Sequence, residues 1–438
     1  MKVLIVGGGG REHALAWKLR RDDPSIDLMA APGNPGIAEI GRCVAVAAAD
    51  IGGLLALANA ESPDLTVVGP EAPLNAGIVD EFRAAGLPVF GPTRSAARIE
   101  TSKAWAKSLM QRAGVPTAAA RAFSDPVAAR AEARRLGAPV VVKATGLAAG
   151  KGVIVAQTLK DADDAIAMML ERRAFGEAGG EVLVEEFMTG EELSIFALTD
   201  GTHALQMLAA QDHKRIGEGD TGPNTGGMGA YVPVSIATAD LIDVIRERVF
   251  MPTLAAMRAD RAPFTGLLYA GVMLTPTGPK VVEFNCRFGD PETEAILPLL
   301  DSSLLDPMRI VAAGGSLADA PPFAWRDAAA VTTVVAAEGY PGSVRMGDAI
   351  ALPSPPPDVI VFHSGTARDD AGQLVTAGGR VLAITAVAET IAKAQEASAS
   401  HAESVSFAGR AFRRDIGWRE LARTSSRTSS RTRAHTSA

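Results

Sequence analysis

The chain is 438 residues long and 47% hydrophobic, with 44 glycines, 27 prolines and a formal net charge of −7. This composition excludes global disorder and disulfide-dependent miniproteins, the length predicts about three domains, and no stretch reaches the ~18 uninterrupted apolar residues of a membrane span. Residues 423–438 hold Arg423, Arg427, Arg431 and Arg433 and no acid, so the first 422 residues carry −11; with only 14 Phe, 4 Trp and 3 Tyr, that body is a poor nucleic-acid binder.

Lys2–Val6 is a short apolar run ending in Gly7-Gly8-Gly9-Gly10, and Arg11–Arg21 reads as a helix with Ala14, Leu15 and Leu19 on one side. The run is too short for a signal peptide, and a cytoplasmic location is expected. Strands are predicted at Ile26–Ala31, Cys43–Val46, Leu65–Val68 and Val89–Phe90, with helices at Gly52–Ala60 and Asn75–Ala85. This alternation predicts a parallel sheet covered by helices on both faces and closing near residue 100. A second unit starts with the helix Ser102–Ala113 and the strand Pro139–Lys143, and continues through β segments at Gly150–Ala156, Val182–Phe187, Ser194–Leu198 and Ala204–Ala209. Strands Tyr269–Leu274 and Lys280–Phe284 flank a predicted hairpin turn at Thr277-Gly278. A third unit, from about Ala328 to Leu421, begins with Ala329–Ala337, carries a proline-rich surface loop at Leu352–Asp358, and ends in the strand Arg380–Thr385 and the helix Val387–Ser400. The Arg/Ser/Thr-rich tail after Leu421 is expected to be disordered. Cys43 and Cys286 form no CxxC spacing, which fits a reducing compartment and offers no thiolate metal site.

Five segments carry chemistry. Gly7–Gly10 at a helix start presents free N–H groups that suit a phosphate. As a GxGxxG fingerprint it fails, because Glu12 stands at the third glycine and Asp27 begins its strand instead of ending it. The run from Val140 to Ala156 places a small-residue loop, Ala144 to Gly152, between two strands with Lys143 and Lys151 at its ends. Small side chains let backbone amides approach phosphate oxygens while the lysines supply charge. It is not a Walker loop, since Gly152 follows Lys151 and a strand follows the loop. The segment Val182–Glu192 is a strand emerging into a turn, able to offer its backbone to an adenine edge and an acid to ribose. In Glu283-Phe284-Asn285-Cys286-Arg287, period-two alternation puts Glu283, Asn285 and Arg287 on one face. Two oxygen donors suit Mg²⁺, and the guanidinium suits a transferring phosphoryl group. Gln211–Gly229 is glycine-dense behind His213, Lys214 and Arg215, and reads as a lid over ligand or a slack linker.

In this order the motifs resemble the ATP-grasp superfamily and, within it, the phosphoribosylamine glycine ligase family. The resemblance runs from Lys2 to about Trp418 through GGGGREHALAW at 7–17, PGNPG at 32–36, VVGPEAPL at 67–74, GPTRSAARIETSKAWAK at 91–107, VVVKATGLAAGKGVIVA at 140–156, QDHKRIGEGDTGPNTGGMGAY at 211–231 and EFNCRFGDPETE at 283–294. Thr145 stands where the family usually carries Asp. The resemblance implies an α/β fold with an N-terminal Rossmann-like (pre-ATP-grasp) parallel sheet, an ATP-grasp domain of two α+β subdomains and a smaller C-terminal α+β domain. It implies domains at 1–101, 102–325 with a mobile lid subdomain at about 118–192, and 326–421, then the tail at 422–438. The implied activity is ATP-driven condensation of glycine with 5-phosphoribosylamine through a glycyl phosphate, in purine synthesis, by a monomer with Mg²⁺ or Mn²⁺ and no nucleic-acid or membrane partner.

Carried over residue by residue, the resemblance implies that Lys103 and Lys143 contact ATP phosphates beneath the loop of Gly146, Gly150, Lys151 and Gly152. Glu185, Glu186 and Phe187 match the adenine hinge, and Glu192 the ribose-binding acid. Glu283 and Asn285 match the metal ligands, and Arg287, with Lys143, the catalytic cations. Gly8, Gly9, Gly10, Arg11, Glu71, Asp290, Pro291 and Glu292 match the phosphoribosylamine site. Another ATP-grasp ligase or carboxylase would share Lys143, Glu192 and Glu283 but lack the blocks at 211–231 and 287–294. An NAD-dependent dehydrogenase would need a glycine in place of Glu12.

Overall fold

The computed structural model describes residues 1–146 and 152–424. The expected tail from residue 425 onward, and Leu147–Lys151 of the small-residue loop, lie outside them. The first sheet is parallel in the strand order Arg42–Cys43, Asp27–Pro32, Lys2–Gly7, Leu65–Val68, Val89–Phe90. Its central strand buries Val3, Leu4, Ile5 and Val6 completely, as a strand covered on both faces must. The strand at Cys43 is shorter than predicted, because the chain leaves the sheet edge after two residues. The helix predicted at Asn75–Ala85 is two helices, Glu71–Ala76 and Ile78–Ala84, since Gly77 adopts φ +95° and ends the first turn of chain.

Two antiparallel sheets follow. One orders Ala120–Phe123, Val182–Glu186, Val140–Ala144 and Val153–Ala156, and packs its own apolar core against the helices Pro126–Leu136 and Leu159–Ile166. The other orders Ala204–Gln206, Glu191–Thr199, Gly266–Thr275 and Gly278–Asn285. The hairpin loop of this sheet is Pro276-Thr277, one residue earlier than predicted, and Gly278 at φ +108° already pairs with Thr275. The helix Lys103–Arg112 starts where Ser102 accepts the Trp105 N–H, which fixes Lys103 in its first turn.

The last sheet mixes distant segments: Gln211–Asp212, Gly229–Val232, Ala329–Ala336, Arg380–Ala388 and Val359–His363, all antiparallel. The glycine-dense stretch is therefore neither slack nor a free lid. Its ends are ladder strands, and its hairpin Arg215–Gly217/Thr221–Asn224 is held by the fully buried Arg413, which reaches the Arg215 carbonyl at 3.0 Å and Asp220 at 2.9 Å. Of the tail expected after Leu421, the described residues 422–424 continue a helical stretch that begins at 418, and Arg423 pairs with Glu420 at 2.6 Å and with Glu191. Among the described residues no helix is long and apolar enough to cross a membrane.

Asn34 ties the first and last units together, donating to the Gly8 carbonyl at 3.0 Å and the His363 carbonyl at 2.7 Å. That contact works only because the glycine turn lies flat on residue 33. A Cβ on Gly8 would stand 2.3 Å from the Gly33 carbonyl oxygen. Gly8→Ala is expected to cost about 1–3 kcal/mol through the backbone shift it forces. Urea denaturation measures this, and an unchanged midpoint would contradict the close approach.

Candidate active site

The site draws on both middle sheets and the first unit: Lys143 of one sheet reaches the Val282 carbonyl of the other, and Arg287 reaches Glu71 and Glu100. Lys143, on the strand Val140–Ala144, is buried and places Nζ 2.8 Å from Glu185 Oε2 and 3.3 Å from the Val282 carbonyl. The other oxygen of Glu185 takes Lys107 at 3.0 Å. Burial alone would raise the Glu185 carboxyl, but the two lysines outweigh it and hold the group below its usual range. Lys107 was not singled out in the sequence, where it reads as an ordinary helix-surface lysine four residues after Lys103. The Glu185 side chain is thus taken up by the two lysines, and the strand end lies just beyond it. There the Glu186 N–H donates to the Ala119 carbonyl, the Glu186 carboxylate pairs with Lys280 at 3.1 Å, and the Phe187 ring is 38% exposed.

The base of the small-residue loop is anchored on both sides. The Lys103 N–H donates to the Thr145 carbonyl at 2.9 Å, the Thr145 N–H to the Glu181 carbonyl at 3.1 Å, and the Ala144 N–H to the Gly152 carbonyl at 2.8 Å. Lys103 Nζ lies 3.4 Å from the Gly146 carbonyl. Thr145 therefore serves the loop through its backbone. Gly150 and Lys151, both expected to bind phosphate, lie outside the described residues.

Glu283 and Asn285 share a face of the strand Gly278–Asn285, as alternation predicts. Burial would raise the Glu283 carboxyl, yet Lys214, Lys143, Lys103 and Arg287 together bring it below its usual range. It is an ionised oxygen donor ringed by four cations, and with the Asn285 amide oxygen it fits a hard divalent cation whose remaining ligands are phosphate oxygens and water. Glu192 lies on the same sheet and face as Glu283, the two carboxylates flanking Gly271, and pairs with Lys214 at 2.5 Å.

Arg287 points to the first domain. Its guanidinium meets Glu100 at 3.0 Å, Glu71 at 3.4 Å and the Phe288 carbonyl at 3.2 Å. Arg11 donates to the same Phe288 carbonyl at 3.1 Å, so two guanidiniums converge there. Glu100, which also accepts the Cys286 N–H at 2.7 Å, was missed in the sequence although it lies within the block at 91–107. The glycine turn itself is occupied: Glu12 accepts the Gly9 N–H at 2.6 Å and Arg11 Nε at 2.6 Å, and fills the hollow left by Gly7, Gly9 and Gly69. Of the turn, Gly9 has thus already spent its N–H, while the first-turn N–H groups of Gly10 and Arg11 are among those a helix start leaves without intrahelical partners.

Asp290, Pro291 and Glu292 do not act as one patch. Asp290 pairs with Arg380 at 3.0 Å, Pro291 follows a cis peptide, and Glu292 turns inward to accept hydrogen bonds from Ser194 at 3.0 Å and Tyr269 at 2.9 Å. Nearby, burial, opposed by Lys214 and reinforced by Glu292 and Glu192, pushes the Asp212 carboxyl up to about 7.

The chain matches the family models described as phosphoribosylglycinamide synthetase N domain over residues 1–100, ATP-grasp (A) domain over 101–293 and C domain over 330–419. A phosphoribosylamine–glycine ligase of Xanthomonas campestris is 49% identical over 427 residues, 97% of this chain and 99% of the relative. One of Caulobacter vibrioides is 50% identical over 423 residues, 96% and 99%. Among solved structures, the phosphoribosylamine–glycine ligase of Thermotoga maritima superposes with a TM-score of 0.83 at 33% identity, covering 95% of this chain and 100% of that one. The biotin carboxylase domain of Hydrogenobacter thermophilus 2-oxoglutarate carboxylase, 16% identical with a TM-score of 0.71 over 94% of this chain and 91% of its own, shares the fold.

Asp212 provides a pH test. Its folded value of about 7 lies above the unfolded value, so the stability it contributes is present at low pH and is lost as pH climbs towards 7. Asp212→Asn should therefore gain on the wild type between about pH 4 and about pH 7, by at most about 1.4 kcal/mol per pH unit. Denaturation at both ends of that window checks it, and a constant difference would show that the carboxyl titrates normally.

Proposed function

The chain belongs to the phosphoribosylglycinamide synthetase family, and we propose that its own residues carry out the family's ligation as follows. Glycine is joined to 5-phosphoribosylamine, giving glycinamide ribonucleotide, with ATP converted to ADP and phosphate, in purine biosynthesis. The observation that carries the assignment of roles is the convergence of Lys103, Lys143, Lys214 and Arg287 on Glu283 beside Asn285.

A carboxylate is a poor acyl donor until one of its oxygens can leave as phosphate. A glycine carboxylate oxygen attacks the γ-phosphorus, and ADP departs with the bonding electrons. The phosphoribosylamine nitrogen then attacks the acyl carbon, phosphate departs, and the nitrogen loses a proton. Lys103 and Lys143 hold the nucleotide phosphates, with Gly146, Gly150, Lys151 and Gly152 as the cover that excludes water from the acyl phosphate. Phe187 and the strand end at Glu185 and Glu186 receive the adenine, and Glu192 the ribose. Glu283 and Asn285 would hold a divalent cation, magnesium or manganese, which supplies charge neutralisation on the phosphates. Arg287, kept in place by Glu71 and Glu100, stabilises the transferred phosphoryl group. With Arg11 beside it, Arg287 faces the phosphoribosylamine side, where Gly8–Gly10 and Asp290 complete the pocket. A cytoplasmic monomer with a lid at about 118–192 is part of the same proposal.

A coupled assay of ADP release, run with and without glycine and with freshly generated phosphoribosylamine, tests the reaction. Release must depend on both substrates; release that ignores either one rules the reading out. Glu283→Ala should lower turnover by roughly 10²-fold or more while the chain still folds, as its far-UV circular dichroism checks. Ordinary metal-dependent turnover in that variant would remove the metal assignment.

A further inference from the structure

The arginine-rich end of the chain has no part in the reaction described above, yet its first residues pack behind the strands that carry Glu192 and Lys214. Gln211, Asp212, His213 and Lys214 leave the last sheet as an extended segment, so alternate side chains face opposite ways. Lys214 faces the cleft and meets Glu192 at 2.5 Å. Gln211 and His213 face away from it, towards the C-terminal arm. His213 Nε2 accepts the Gly417 N–H at 2.9 Å. Gln211 accepts hydrogen bonds from the Tyr231 hydroxyl and, at 3.4 Å, from Arg423, and its own amide donates to the Glu192 carbonyl at 2.8 Å. The same Arg423 guanidinium pairs with Glu191, the neighbour of Glu192, and is braced by Glu420 at 2.6 Å. The arm therefore grips both strands that carry the Glu192–Lys214 pair, from the side opposite the cleft.

We propose that Arg423 is a positioning residue of the nucleotide site, setting Glu192 against Lys214 through Glu191 and Gln211. The inference rests on the reading of Glu192 as the ribose-facing acid. The geometry supports it in three ways. Arg423 is only 18% exposed and its guanidinium lies within reach of Glu191, Glu420 and Gln211 at once. Glu191 and Glu192 are adjacent on a strand, so the ion pair on one face fixes the orientation of the other. The Gln211 side chain links the arm to the Glu192 backbone directly, so a displacement at Arg423 is passed on without an intervening flexible loop.

The test separates binding from turnover. Arg423→Ala should raise the KM for ATP by about 3- to 30-fold, the range expected when one member of a packed polar network is removed. Turnover at saturating ATP and the KM for glycine should each move less than about 2-fold on the same grounds. Arg423→Lys, which keeps a cation for Glu191, should recover most of the ATP affinity. Titration of the wild type and variants with ADP and Mg²⁺ alone gives the same ranking without any turnover. It stands even if glycine-dependent ADP release is absent, an outcome that would overturn the function but not the arm. If Arg423→Ala melts well below the wild type, Glu191→Gln removes the same pair from the other side and should reproduce the loss of ATP affinity. Unchanged ATP affinity in both variants, or an equal fall in every kinetic constant, overturns the proposal and leaves the arm as scaffold only.

Discussion

Glu185 sits between two buried lysines, and the rest of the site depends on the constraint it answers. A protein that handles a triphosphate and an acyl phosphate must keep several cations close together before any anion arrives. Unpaired, Lys103, Lys107, Lys143, Lys214, Arg11 and Arg287 would repel one another and lose hydration at the same time. Each is instead placed against an acid or a carbonyl: Lys107 and Lys143 on Glu185, Lys214 on Glu192, Arg287 on Glu71 and Glu100, Arg11 on Glu12, and Lys103 on the Gly146 carbonyl. Removing one member of such a buried pair typically costs about 3–5 kcal/mol, because the other is left charged and dry. Glu185 carries one charge for two lysines, so it does not by itself neutralise them.

The same constraint explains why the sheets interlock. Ion pairs this close need rigid backbones, and the acids come from different units: Glu71 and Glu100 from the first, Glu185 and Glu192 from the two middle sheets. Asn34 joins the first unit to the last, and Arg413 joins the last to the hairpin at 215–224. A slack 211–231 segment would leave Lys214 free to swing. Its glycines instead permit close contacts, as where Gly229 lies against the Thr332 carbonyl, and its ends are spliced into the C-terminal sheet.

What the sequence made legible follows local rules. Alternation placed Glu283 and Asn285 on one face, and the apolar run before Gly7 gave a buried central strand, since both depend only on neighbouring residues. The partners of the charges were not legible. Lys107 and Glu185 are 78 residues apart and Glu100 and Arg287 are 187 apart, so neither pair leaves a spacing signature. Glu12 looked like a missing glycine when read against a dinucleotide fingerprint. Its carboxylate is the reason the surrounding positions are glycine, since a Cβ on Gly69 would come within 2.1 Å of Glu12 Oε1. The break at Gly77 was missed for a related reason: apolar periodicity continues through it, and only the positive φ ends the helix.

The charge balance of the whole chain then acquires a structural meaning. An acidic body of −11 is unexpected for a protein that binds phosphates, if charge is judged in bulk. Here some of those acids are the counter-ions of buried cations, so the bulk excess does not describe the local charge inside the cleft. The first arginine of the basic tail belongs to that same accounting, because Arg423 neutralises Glu191 one residue from the acid that faces Lys214. Net charge describes the surface a distant partner meets. The pairing of individual groups across the cleft decides what the site can hold.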